Sequence, residues 1–418
     1  MSALYNETVE RFQNYVVPTY APKQLFVRGE GARLWDDEGN EFLDFASGIS
    51  VCNLGHCNKR VTDAICEQAK KLVHVSNLYM NELMPRLAEK LIKESFPGKV
   101  FFSNSGAEAN EGMIKLARKF GNETGRNVII SMDNSFHGRT LATLAATGRA
   151  KYRKGFEPDM PGFVQVPFND IEAVRKAWTP QVCAVMIEMV QGEGGILPAD
   201  PEYLKELRAF CDEKNILLLC DEVQCGMGRI GTRFAFQSFG IQPDVLSMAK
   251  AIANGYPMGG FIVAEKYADI LQVGHHASTF GGTPLACAAA LAVQEAFDKD
   301  GVLENCREQG EYIMKRLAEE TKDFPCVQCV RGRGLMIGVV LDQPAGPVLS
   351  LCLKRNLVAL TSVLLPEVSS AVIVKVCVPS ANPPLLSNAP SDQANELFAT
   401  SSLSVTDILN KNTQPVSA

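Results

Sequence analysis

The chain is short of histidine and tryptophan, and it has neither a long apolar run nor an excess of positive charge. Its five histidines show no HExxH spacing, so no metal site is legible. Its thirteen cysteines are scattered through 418 residues, which excludes a dense disulfide framework. Several of them, including Cys183, Cys220 and Cys287, lie in apolar runs, as reduced core thiols do. Cys326-Val-Gln-Cys329 is a lone CxxC, open to a redox or metal reading but without a second pair to complete a site. The 41 Lys and Arg against 47 Asp and Glu leave a net charge of −6, so there is no basic field for nucleic acid. The longest candidate for a membrane span, residues 357–378, is broken by Pro366, Glu367 and Lys375. Residues 1–20 are polar and mixed, without a charged-then-apolar signal pattern, and cytoplasm is the expectation. Neither GxxxxGK[ST] nor a strand-linked GxGxxG occurs, which argues against a nucleotide-binding α/β protein.

What is present is an ordinary globular composition, 46% hydrophobic and 21% charged, over a length that buries a large core in two or more domains. Residues 26–50 read as short strands with turns, and Trp35-Asp36-Asp37-Glu38-Gly39 as a hairpin tip. Residues 58–75 carry helical spacing, with Val61, Ile65, Ala69 and Leu72 on one face, and residues 82–95 repeat the pattern. From 97 to 262, strand-like apolar runs alternate with amphipathic segments. That alternation predicts an α/β fold around a mainly parallel sheet with helices on both faces. Ligands in such folds gather at the carboxyl ends of strands. Residues 284–297 and 305–321 read as long helices, and 329–341 as strands of a second, smaller domain.

Two strand ends stand out. The apolar run of residues 243–249 ends at Lys250 and is followed by the glycine-rich turn 251–260, while Ile216 to Cys220 ends in Asp221-Glu222-Val223-Gln224. An amine at one strand end and a carboxylate at another face a single ring in enzymes that hold pyridoxal 5′-phosphate, with Lys250 as the covalent attachment and Asp221 on the pyridine nitrogen. Taken singly, each has a plainer reading: a solvated strand-end lysine, and carboxylates at a helix N-terminus.

Four further motifs stand out, the first three following strand-like runs and the last preceding the helix at 284. Ser103-Asn104-Ser105-Gly106-Ala107-Glu108-Ala109-Asn110 opens an amphipathic helix. Bare backbone N–H groups there suit a phosphate, and a Ser105 N-cap with Glu108 in a capping box fits equally well. Phe136-His137-Gly138-Arg139 offers an aromatic face for stacking and a guanidinium fork for a carboxylate, or simply a core Phe beside a surface Arg. Gln191-Gly192-Glu193-Gly194-Gly195 places Glu193 on a loop, as a site acid or an exposed turn acid. Ser278-Thr279-Phe280-Gly281-Gly282-Thr283-Pro284 offers two adjacent hydroxyls for a second phosphate or polar contact, and also reads as a helix start with Thr283 as N-cap and Pro284 at N1.

Together with Lys151-Tyr152-Arg153-Lys154-Gly155-Phe156-Glu157-Pro158, these motifs occur in one order that resembles class III pyridoxal-phosphate aminotransferases of the ornithine-type subgroup. The resemblance spans residues 15 to 341 and is nearest the acetylornithine group. It implies a fold type I transferase, with a large mainly parallel sheet domain and a smaller α+β domain built from both chain ends. The implied division is residues 1–50 and 296–355 in the small domain, 51–295 in the large one, and 356–418 as a tail. By resemblance, Lys250 and Asp221 are catalytic. Ser105, Gly106, Ala107, Phe136, Glu222, Val223, Gln224 and Thr279 join them around the coenzyme, Thr279 from the other chain of a homodimer. Arg139, Glu193 and Ser278 would serve the substrate. The implied reaction moves the δ-amino group of N-acetylornithine to 2-oxoglutarate, giving glutamate, as in arginine biosynthesis. Ornithine, succinylornithine or 4-aminobutyrate are the alternative donors.

The pattern is lost after Arg355. The family carries a C-terminal arginine that grips the α-carboxylate of glutamate and alternates with the acid at the position of Glu193. Here no arginine follows Arg355, Phe398 is the only later aromatic, and the composition turns to Ser, Asn and Thr. Two expectations follow: a tail that is divergent and disordered or frame-shifted, and a protein that binds the coenzyme but is impaired in turnover.

Overall fold

The computed structural model describes residues 2–355, 357–358, 360–363 and 372–376. Seven strands form the central sheet: β1 (Gly98–Ser103), β2 (Val128–Met132), β3 (Phe163–Val166), β4 (Val182–Glu188), β5 (Leu217–Asp221), β6 (Val245–Met248) and β7 (Gly259–Ala264). Their spatial order is β1-β7-β6-β5-β4-β2-β3. All neighbours are parallel except that β7 runs antiparallel to both β6 and β1. β7 follows β6 after a short turn, too short for the crossover a parallel pair needs.

The interior strands β4, β5, β6 and β7 are buried at every position. This matches their continuous apolar runs, which alternation would have replaced had one face met water. Helices Gly106–Asn122, Pro201–Lys214 and Pro284–Lys299 pack with the sheet in one core that includes Met113, Leu116, Leu204, Leu207, Ala289 and Val293. Asp200 caps the second of these helices by accepting N–H bonds from Glu202 (2.8 Å) and Tyr203 (3.1 Å), with Pro201 at its first position. Thr283 occupies the N-cap place of the third, as expected, but its hydroxyl donates to the Val73 carbonyl (2.7 Å) instead of capping.

The N-terminal strands Phe26–Glu30, Arg33–Asp36 and Glu41–Asp44 form an antiparallel set. The hairpin expected at 35–39 is there, closed by Asp36 accepting from the Glu38 and Asn40 N–H groups. Leu357–Val358 adds to this sheet parallel to Glu41–Asp44, so an early and a late segment of the chain share one sheet. Val327–Arg333, Met336–Leu341, Val372–Val376 and Leu360–Val363 form another four-stranded sheet. Helix Val302–Thr321 and the first two of these strands share a second core through Ile313, Leu317, Leu335 and Ile337. Most of the expected tail, residues 364–371 and 377–418, lies outside the described residues.

Candidate active site

The carboxyl ends of β1, β4, β5 and β6 open on a cleft of about 420 Å³. Ser105, Gly106, Ala107, Phe136, Arg139, Glu193, Asp221, Val223, Gln224 and Lys250 all line it, brought together from five separate stretches of chain.

β5 ends at Asp221, which is buried at 3% exposure. Its Oδ2 accepts from Asn110 Nδ2 (2.7 Å) and faces Nδ1 of His137 at 2.8 Å. Its Oδ1 accepts from the Val223 N–H (3.0 Å) and the Ser247 hydroxyl (3.4 Å). A buried carboxylate needs such donors to remain charged. Asn110 lies one turn into the helix that starts at Gly106, and its amide also donates to the His137 carbonyl (2.7 Å). Sequence reading quoted both residues inside motifs and gave neither a role. The usable signal was position: Asn110 sits four residues after Gly106 and so shares its helix face, and His137 directly follows the stacking Phe136.

Lys250 directly follows Ala249, which succeeds β6, and adopts φ +49°, left-handed and unfavourable for a lysine. Asn254 and Gly255 in the following turn are also left-handed, so the chain reverses sharply and presents Lys250 to the cleft that Asp221 enters from β5.

The helix Gly106–Asn122 points its N-terminus into the same cleft. Ser105 is a true N-cap, its hydroxyl accepting from the Glu108 N–H (3.2 Å), while Glu108 accepts from the Asn104 N–H (2.6 Å). Both readings of this motif therefore coexist, because capping uses Glu108 N–H and leaves the first amides of the helix facing the cleft. A Cβ on Gly106 would lie 2.6 Å from Val223 Cγ1, so only glycine lets the helix start meet the loop after β5. Likewise a Cβ on Gly192 would fall 2.1 Å from Gln224 Oε1.

Phe136 and Tyr152 meet edge to face at 6.0 Å, and the Arg139 guanidinium lies 4.0 Å from the Tyr152 ring centre and 5.3 Å from that of Phe136. Arg139 is thus an exposed cation held over two rings at the cleft mouth. The loop bearing Glu193 is clamped through its backbone: buried Arg149 donates to the Glu193 carbonyl, and Arg331 donates to the Gly195 carbonyl (3.0 Å). Glu188, at the end of β4, accepts from the N–H groups of Phe136 (3.0 Å) and Gly192 (3.1 Å). Burial pushes its carboxyl up to about 7.

Three expected residues lie elsewhere. Glu222 turns away from the cleft and accepts from the N–H groups of Ala235 and Phe236 (2.7 Å) at the start of the helix Ala235–Phe239. Ser278 and Thr279 line a separate surface hollow with His276 and Phe280. Ser278 Oγ receives the Gly281 N–H (3.0 Å) and the Asn104 amide (3.3 Å), which ties that hollow to the phosphate-type loop.

Glu222 gives a pH prediction. Burial raises its carboxyl to about 8 in the fold, against an unfolded value of about 4.3. Between these values the folded state binds the proton and the unfolded state does not, so stability falls as pH rises through that window. The thermal midpoint of coenzyme-free protein is expected to fall between about pH 5 and about pH 8.5, and Glu222→Gln to flatten that fall by on the order of 2 °C or more. A wild-type slope unchanged in the variant would refute this.

The cleft fits a pyridoxal phosphate. It joins a helix N-terminus for a dianion, a donor-held carboxylate, an aromatic face and a lysine at a strained strand end. Among the described residues, Gln224 Oε1 and His137 Nε2 are also buried there without a hydrogen-bond partner, which is the condition of groups awaiting a ligand or water. Among the described residues no group of His, Cys, Asp and Glu could hold a metal ion, and no helix is long and apolar enough to cross a membrane.

Comparison with known proteins agrees with this geometry. The model of the family described as aminotransferase class III matches residues 16–361. An acetylornithine aminotransferase of Caldanaerobacter subterraneus subsp. tengcongensis is 47% identical over 350 residues, covering 82% of this chain and 89% of that protein. A succinylornithine transaminase of Yersinia enterocolitica is 46% identical, covering 80% and 83%. The solved ornithine aminotransferase of Toxoplasma gondii, reported with partial occupancy of PLP at its active site, superposes with a TM-score of 0.87 at 28% identity over 97% of this chain and 96% of that one.

Proposed function

The chain belongs to the class III aminotransferase family, and on that premise we propose that it moves the δ-amino group of N-acetylornithine to 2-oxoglutarate, the transamination of arginine biosynthesis. The cofactor is pyridoxal 5′-phosphate; when bound it supplies an aldehyde that captures amines and a ring that accepts the electrons left when a proton departs the substrate carbon. The single observation that carries this reading is the convergence of Lys250 and the donor-held Asp221 on one cleft.

In this reading Asp221 holds a proton at the ring nitrogen, and Asn110 and His137 keep the carboxylate in place. The first amides of the helix Gly106–Asn122 bind the phosphate. Gln224, whose Oε1 lacks a partner, turns its amide to the phenolic oxygen. Phe136 and Val223 enclose the ring and exclude water. Lys250 takes the proton from the carbon bearing the substrate amine and later returns one. Glu222 acts at a distance, fixing the loop after β5 by holding the next helix. Arg139, an exposed guanidinium already ordered by two rings, binds the substrate carboxylate, and Glu193 lines the same cleft from the clamped loop.

The reading includes a homodimer. Leu78, Tyr79 and Met80 are 86%, 72% and 98% exposed, and Asn77 ties their loop to the Ser278 and Gly281 carbonyls (2.8 and 2.9 Å). An apolar surface of this kind beside Thr279 supports a partner chain whose cleft receives that hydroxyl. Location in the cytoplasm completes the proposal.

The test is purified protein loaded with coenzyme, assayed with N-acetylornithine, ornithine, succinylornithine and 4-aminobutyrate, and sedimented at micromolar concentration for the mass of two chains. N-acetylornithine is expected to show the highest kcat/KM. Arg139→Ala is expected to raise its KM by about 10- to 100-fold, the loss of one charge-assisted pair, with kcat little changed. A higher kcat/KM for another donor, or an unmoved KM, would sink the substrate assignment.

A further inference from the structure

Glu188 is buried at the end of β4, and the reaction as described above gives it no part. Its two carboxyl oxygens go to two different loops. Oε2 accepts from the Phe136 N–H (3.0 Å), on the loop after β2, and Oε1 accepts from the Gly192 N–H (3.1 Å), on the loop that bears Glu193. One side chain therefore joins the aromatic face of the cleft to the loop proposed for the substrate. Glu188 is also the register partner of Asp221 on the neighbouring parallel strand, so both carboxyl groups leave the same face of the sheet, and both line the cleft.

Both ends of this link matter to the cleft. Gly192 has no room for a Cβ against Gln224 Oε1. Its carbonyl accepts from the Gly195 N–H (3.3 Å) and the Ile196 N–H (3.4 Å). A shift of Gly192 would therefore carry the Glu193 turn and the Gln224 contact with it. At the other end the His137 N–H, next to that of Phe136, donates to the Thr147 hydroxyl (3.0 Å), so Glu188 holds the amide of the stacking residue itself. The titratable groups that face Glu188 are His137 from the Phe136 loop, Asp221 from the end of β5 and Cys225 from the loop after β5. Glu193 and Lys250 line the same cleft.

We propose that Glu188 is a positioning residue for the transamination, holding the ring-stacking loop of Phe136 and the loop of Glu193 in register, and that it does so fully only as a carboxylate. The inference deepens the aminotransferase reading and rests on it for what the two loops grip. A carboxylate offers lone pairs on both oxygens, one to each N–H. A neutral carboxyl keeps one good acceptor and turns its other oxygen into a donor. Burial pushes Glu188 up to about 7; the charge of Asp221 adds to the rise, while His137 and the two N–H bonds oppose it. Below that value the neutral form dominates and one loop loses its anchor, and above it both are held. Glutamine in this place copies the neutral form, since its amide has one acceptor oxygen and a nitrogen that only donates.

The experiment is hydrogen–deuterium exchange of the full-length, coenzyme-loaded protein and of Glu188→Gln at pH 6 and pH 8, read by mass spectrometry over the peptides containing residues 136 and 192 and corrected for the intrinsic rate. The ratio of wild-type to variant protection is expected to lie within about twofold of unity at pH 6. At pH 8 it is expected to reach about tenfold in at least one of the two peptides, the scale of one hydrogen bond to a charged acceptor. A ratio that does not rise with pH, or one that rises equally across β4 and β5, overturns the proposal. If the variant does not fold, wild type alone carries the test: protection in those peptides rises about fivefold from pH 6 to pH 8, and constancy refutes the role. The ratio of kcat/KM for N-acetylornithine is expected to grow with pH in the same way, and an equal ratio at the two pH values overturns the positioning role. Exchange needs no substrate, so a loaded wild type inactive on N-acetylornithine would remove the functional reading and leave the exchange result standing.

Discussion

Lys250→Ala abolishes the covalent hold on the coenzyme and lowers transamination by at least about 10³-fold, the scale of removing a positioned proton-transfer group together with a covalent catalyst. Borohydride treatment of the loaded wild type is expected to fix the coenzyme to the peptide containing residue 250, and the variant to leave it extractable. The thermal midpoint of coenzyme-free protein should barely move. Lys250 is only half-buried, and alanine in its left-handed backbone meets the same strain that the lysine already bears at φ +49°. Stability unchanged with activity lost is the signature of a residue placed for chemistry rather than packing. Coenzyme fixed elsewhere in the wild type, or an active alanine variant, would refute the assignment of this lysine.

The neighbourhood makes that outcome specific. Replacing the lysine leaves the helix N-terminus at Gly106, the Asp221 cluster and Phe136 intact, so the variant should still take up coenzyme by non-covalent contacts. Binding and chemistry then separate experimentally. A variant that lost both together would point to a collapsed cleft instead of a missing amine.

How much of this was legible in the sequence depended on locality. Strand ends are local events: an apolar run stops, a charged or glycine-rich stretch begins, and the residue there points to a cleft if the sheet is parallel. Lys250, Asp221 and Gly106 were readable on those terms. The support of Asp221 was not, because Asn110, His137 and Ser247 reach it from 111, 84 and 26 residues away, and only folding brings them together. Glu222 shows the opposite failure. It sits beside Asp221 in sequence, but successive residues at a strand end face opposite sides, and its carboxylate goes to the helix at Ala235. The clamps on the Glu193 loop were also invisible, since Arg149 and Arg331 act on backbone carbonyls, which no side-chain pattern encodes. The left-handed run at 47–50 was hidden for a different reason: three of its four residues are not glycine, and tertiary bonds overrode their preference.

The two halves of the reaction are expected to run unequally. Both need Lys250 and Asp221, but they differ in what grips the substrate. On the proposed reading the amino donor N-acetylornithine would meet Arg139, which lines the cleft. By family resemblance the 2-oxo acid that returns the amino group needs a second guanidinium for its α-carboxylate, and no arginine follows Arg355 in this chain. The described arginines nearest that loop are committed to backbone, Arg149 to the Glu193 carbonyl and Arg331 to the Gly195 carbonyl. Losing a bidentate guanidinium–carboxylate pair costs about 2–3 kcal/mol, a factor of roughly 30 to 150 in kcat/KM at 1.4 kcal/mol per decade. Rapid mixing of the loaded enzyme with N-acetylornithine alone should therefore give a fast first half. Mixing the aminated form with 2-oxoglutarate should give a second half slower by about that factor at low concentration, recovering as 2-oxoglutarate is raised. Equal kcat/KM in the two halves would show that some other group of this chain already holds the α-carboxylate. Arg331 would then be the first to replace, since moving it off one carbonyl would free a half-buried cation at the loop that carries Glu193.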